Sequence, residues 1–148
     1  MNLREWSWRV ALVLALLLAL GIIAIGVRFL LQPEVSAQGF GAAAEAGPYP
    51  AAKGIRDIGS GLVGLTLLAT RHFRAAGWTI IAMAVIPLGD VLVVLAWGGP
   101  PVLAYTVHGG TALTMAVVGA ILIRGPRREE PRPTRGAATS SGGQTHHP

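Results

Sequence analysis

Five ionisable side chains sit within or at the edge of apolar sequence: Arg28, Arg56, Asp57, Asp90 and His108. Two carboxylates and an imidazole can pass protons by general acid–base chemistry, and guanidiniums can hold carboxylates through charge-assisted hydrogen bonds. Two carboxylates against two guanidiniums make a balanced set, as a low-dielectric setting requires. A charge in the middle of a bilayer costs at least ~2.5–3.5 kcal/mol, so such groups face inward and pair. Asp90 is the hardest to explain away, because it lies in the apolar run 86–96 and cannot easily reach water. The plain alternatives are snorkelling for Arg28, an interfacial position for Arg56, a helix-start charge for Asp57 and hydrogen-bonded packing for His108. No nucleophile–base motif accompanies them. One histidine and two aspartates lack a metal-ligand spacing, so neither metal nor cofactor is expected. The chain has no cysteine, which removes disulfides and thiolate chemistry.

The elements that would position these residues are long and apolar. Of 148 residues, 52% are hydrophobic and 13% charged; soluble domains carry about 25% charged residues. Mean hydropathy is +0.55. The fold class expected is all-α: a bundle of four transmembrane helices over about 10–31, 51–69, 75–97 and 102–123, each near the ~20 residues a span requires. Residues 1–124 form this domain, and 125–148, rich in Arg, Pro, Gly and Ser, form a disordered cytoplasmic tail. The stretch 32–50 reads as a loop broken by Pro33, Gly39, Gly41, Gly47, Pro48 and Pro50. Pro87 should kink the third helix. A signal peptide cleaved after Val35-Ser36-Ala37 is the competing reading of the first span, which is too long for a signal h-region.

Topology follows from the basic residues. Arg4, Arg9, Arg71, Arg74, Arg124, Arg127, Arg128, Arg132 and Arg135 fall on one side; Arg28, Lys53 and Arg56 fall on the other. Both termini are therefore expected in the cytoplasm of a plasma-membrane protein in contact with lipid. The pI near 11.1 reports orientation, not nucleic-acid binding, since no nucleic-acid motif accompanies the charges. Lys53 reads as a snorkelling residue. Counted from the outer helix ends, Asp57, Asp90 and His108 all lie about 9–11 Å deep at ~1.5 Å per residue. All four helices thus contribute to one polar layer. Ser60, Gly61 and Gly64 follow Asp57 at helical spacing and make a small face suited to close helix packing.

Several of these residues sit in short motifs: Gly26-Val27-Arg28-Phe29-Leu30-Leu31 before Pro33, Gly39-Phe40-Gly41, Lys53-Gly54-Ile55-Arg56-Asp57, Ile86-Pro87-Leu88-Gly89-Asp90 and Val107-His108-Gly109. In this order they resemble the domain of unknown function 4267 family over about residues 10–124. The resemblance implies a four-helix integral membrane protein, mostly bacterial, and carries no established activity. An Ala/Gly/Arg/Val-rich, Lys-poor composition fits a bacterial source. The first functional expectation is a structural or accessory membrane protein whose polar cluster specifies packing. The alternative is binding of a small amphipathic ligand, or proton-coupled transport, through that cluster. A third is an intramembrane acid–base enzyme such as an isomerase.

Overall fold

The computed structural model describes residues 3–41 and 48–125, and every regular element among them is helical. Helix α1 (Leu3–Leu31) is followed by a short α2 (Pro33–Phe40), α3 (Tyr49–Ala69), α4 (Phe73–Met83) and α5 (Val85–Ala96). A single turn, α6 (Pro101–Leu103), leads into a π-helical segment (Ala104–Gly109) and then α7 (Gly110–Arg124). Three stretches are long and apolar enough to cross a membrane: Leu3–Leu31, Phe73–Ala96 and Pro101–Arg124. The fourth expected span, α3, is a 21-residue helix that carries Lys53, Arg56 and Asp57 in its first half.

Most of the buried residues are small. Ala11, Ala15, Ala76, Val118 and Leu122 form the buried cluster at the end where α1 and α4 begin. There the Trp8 ring meets Phe73 edge-on at 5.5 Å. Many larger apolar side chains, Leu17, Leu92, Val102 and Leu113 among them, face outward. Small-inside, large-outside is the pattern of helices that pack in lipid. Glycine sets the closest approaches. A Cβ on Gly26 would lie 2.6 Å from the Gly54 carbonyl oxygen, and one on Gly54 would lie 2.7 Å from the Gly26 oxygen. The same reciprocity joins α4 to α7, where a Cβ on either Gly77 or Gly119 would lie 2.7 Å from the other's oxygen.

Three features differ from expectation. The first helix starts at Leu3, not near residue 10, helped by Glu5 in the first turn, where a negative charge meets the positive end of the helix dipole. The supposed loop 32–50 contains α2. Pro33, read as a breaker, occupies the first turn, where its missing N–H costs nothing. Gly41 ends the helix in the left-handed conformation (φ 92°), its N–H bonded to the Gln38 oxygen at 3.0 Å. Ser36 and Ala37 of the supposed cleavage site are buried in this helix. The last helix is not α-helical throughout: residues 104–109 widen into a π turn. Near Pro87, expected to kink the third helix, the helix is interrupted at Ala84, between α4 and α5. Proline has no N–H to offer the Met83 carbonyl one turn earlier. The expected tail, 125–148, lies outside the described residues apart from Gly125.

Candidate functional site

The polar layer is assembled by α1, α2, α3, α5 and the π segment. Asp57 is 2% exposed. One of its oxygens pairs with Lys53 Nζ one turn earlier on α3, and the other has Arg56 Nε at 3.6 Å. The Lys53 ammonium also lies 4.6 Å from the Phe29 ring centroid and 5.4 Å from that of Phe40. The ring faces supply the negative side of an aromatic quadrupole to a cation held away from water. Ser36 Oγ, on α2, donates to the Arg28 carbonyl at 3.1 Å. The same carbonyl accepts from the Gln32 N–H at 2.8 Å, so the hydroxyl is a second donor that ties α2 to the end of α1.

His108 is placed by the π turn and held by α2. Its Nε2 lies 3.2 Å from the carbonyl of Phe40, the last residue of α2, and the two rings meet edge-on at 4.7 Å. Its Nδ1 stands 3.8 Å from Asp90 Oδ2. π turns recur at functional sites because the extra residue re-aims side chains.

These groups line one end of a cavity of about 490 Å³ between the helices. Arg28, Lys53, Asp57, Asp90 and His108 are all on its wall. Leu14, Leu18, Ile22, Ile80, Met83 and Met115 line much of the remainder. The space is therefore amphipathic: charged at one end and apolar for most of its length.

The family described as Domain of unknown function (DUF4267) matches residues 19–122. The chain belongs to this family. No curated protein and no solved structure matches it. The DUF4267 match spans every charged residue on the cavity wall, from Arg28 on α1 to His108 in the π segment.

In this DUF4267 protein the expected residues Arg28, Asp57, Asp90 and His108 share one cavity, while Arg56 is not on its wall and connects to it through Asp57 and Ser60. The pairing differs from expectation. Asp57 takes Lys53 as well as Arg56, and Asp90 faces His108, not an arginine. Arg28 is exposed and forms no ion pair among the described residues. Lys53, expected to snorkel, instead turns its ammonium to Asp57, and the signal for this is their i, i+4 spacing. Phe29, Phe40 and Ser36 carried no chemical signal of their own. Of the small face, Gly61 sits tightly against α1, where a Cβ would come within 2.6 Å of the Ala19 oxygen. Gly64 is looser, with Ala19 Cβ at 3.4 Å, and Ser60 lines the cavity while donating to the Arg56 carbonyl at 2.9 Å.

Proposed function

We propose that this DUF4267 protein is a four-span protein of the bacterial plasma membrane, both termini cytoplasmic, whose cavity binds a small amphipathic molecule. What supports this is the cavity itself: about 490 Å³, inside the ~300–1,000 Å³ range of ligand pockets, with charges at one end and an apolar body. A polar head and a hydrocarbon chain would each find their matching half. Support for α3 as the fourth span comes from its glycine contacts with α1 and from the pairing of its deepest charge, Asp57, with Lys53 and Arg56.

One observation favours the structural or accessory reading: the Lys53–Asp57–Arg56 group is closed on itself and needs no ligand. Native mass spectrometry of the protein extracted with its surrounding lipid separates the two. Binding is expected to appear as an amphiphile adduct on the wild type that is lost in Met83→Trp, which fills the apolar body. A bare protein, or an adduct indifferent to that substitution, would leave the structural role.

A further inference from the structure

If the cavity binds an amphiphile, the hydrogen-bond inventory at its polar end restricts the head. The Lys53 ammonium is engaged by Asp57 Oδ2 and by two aromatic rings. The hydroxyls of Ser36, Ser60, Thr111 and Thr114, all on the wall, donate to the carbonyls of Arg28, Arg56, Val107 and Gly110. Each therefore has lone pairs left to offer and no proton. His108 Nε2 must be the donor in its contact with the Phe40 carbonyl, because a carbonyl only accepts. In the neutral ring Nδ1 is then bare, and that nitrogen stands 3.8 Å from Asp90 Oδ2. With the ring in that form, two acceptors face each other across this gap. A single nitrogen carrying several N–H groups, set beside both, could donate to each and would also meet the Asp90 charge.

We infer that the cavity holds an amine site: the primary ammonium of an amphiphile donates to Asp90 Oδ2 and His108 Nδ1 while its chain runs along Leu18, Ile80 and Met115. The competing head is an acid. Arg28, the lining cation outside the Lys53–Asp57–Arg56 group among the described residues, would favour it. What decides for the amine is the facing pair of acceptors, Asp90 Oδ2 and His108 Nδ1, which a carboxylate head cannot bridge.

The test uses the full chain in a neutral maltoside detergent, offered equal amounts of tetradecylamine, tetradecanol and tetradecanoic acid, with adducts counted by native mass spectrometry. The amine should be retained over the other two by about tenfold, the scale of one charge-assisted contact. That preference should vanish in Asp90→Asn and in His108→Gln. The glutamine keeps an N–H for the Phe40 carbonyl while removing the Nδ1 acceptor, so either variant that folds gives the answer. Retention of the acid over the amine overturns the assignment, as does an amine preference unchanged in a folded variant. Binding of all three without preference overturns the amine site and leaves the cavity reading standing; binding of none overturns both. Phosphatidylethanolamine is offered separately. Uptake matching tetradecylamine identifies a lipid headgroup as the source of the amine, and its exclusion identifies a single-chain amine; either result keeps the assignment.

Discussion

At the scale of single residues, Asp57 and Asp90 show how two carboxylates in one layer come to differ. Asp57 is enclosed and has two cations. Asp90 has one ion-pair neighbour among the described residues, the His108 imidazole, and it borders the cavity. Removing a cation from the first should therefore be costly. Lys53→Met leaves Asp57 only the 3.6 Å contact to Arg56, and is expected to lower stability by up to about 3 kcal/mol, the low end of the cost of stranding a buried partner. Lys53→Met with Asp57→Leu should recover much of it. Thermal melting in detergent checks this, and additive losses would show that the pair carries no coupling. Asp90 should behave oppositely: Asp90→Asn is expected to change melting by less than about 1 kcal/mol, since it strands no buried cation. A loss as large as that of Lys53→Met would mean Asp90 is a structural ion-pair member. The residue types were legible in the sequence because a charge in apolar surroundings demands a reason. Their partners were not. Which oxygen meets which nitrogen depends on helix rotation, and hydropathy leaves the rotation of an evenly apolar helix such as α1 unspecified.

At the scale of elements, glycine positions separate contacts from mere flexibility. Gly26→Ala, Gly54→Ala, Gly77→Ala and Gly119→Ala each push a methyl into a facing carbonyl and should destabilise by about 1–3 kcal/mol. Gly21→Ala and Gly59→Ala meet nothing within 4 Å, so they should be neutral or gain up to about 1 kcal/mol in helix propensity. Melting of the two sets side by side would expose an error in helix rotation, because a wrong register would swap their ranks. The turn between α3 and α4 gives a second check. Arg71 sits at φ 60°, a left-handed conformation that costs a non-glycine residue about 1 kcal/mol; Arg71→Gly should return it. Long apolar helices were readable from composition alone. The short α2 carried both its signals, proline in the first turn and glycine just past the end, but in eight residues with little periodicity they read as loop punctuation. The Gly77–Gly119 contact left no motif, because it joins single glycines on two helices. The π turn at His108 has no sequence signature, being set by how the flanking segments pack.

At the scale of the whole molecule, the charges divide between the two ends. Arg9, Arg71, Arg74 and Arg124 belong to the end where Trp8 meets Phe73 edge-on, and the cavity charges to the other. For a protein inserted with both termini cytoplasmic, reporter fusions truncated after Gly125 should be cytoplasmic and those after Gly98 external; the reverse pattern would invert the topology. The π segment has a consequence for how the gene tolerates change. Deleting one residue from an α-helix rotates everything beyond it by about 100°, since 3.6 residues make a turn. Through residues 110–124 such a loss would turn Gly119 away from Gly77 and unpack α7 from α4. A π turn holds one residue more than an α-turn. An in-frame deletion of Tyr105 or Thr106 can therefore be absorbed by relaxing residues 104–109 to α geometry, leaving the flanking faces in phase. Such a protein should still insert and melt cooperatively, with His108 no longer aimed at Asp90. The fold would then outlive the loss of a codon that its site cannot spare.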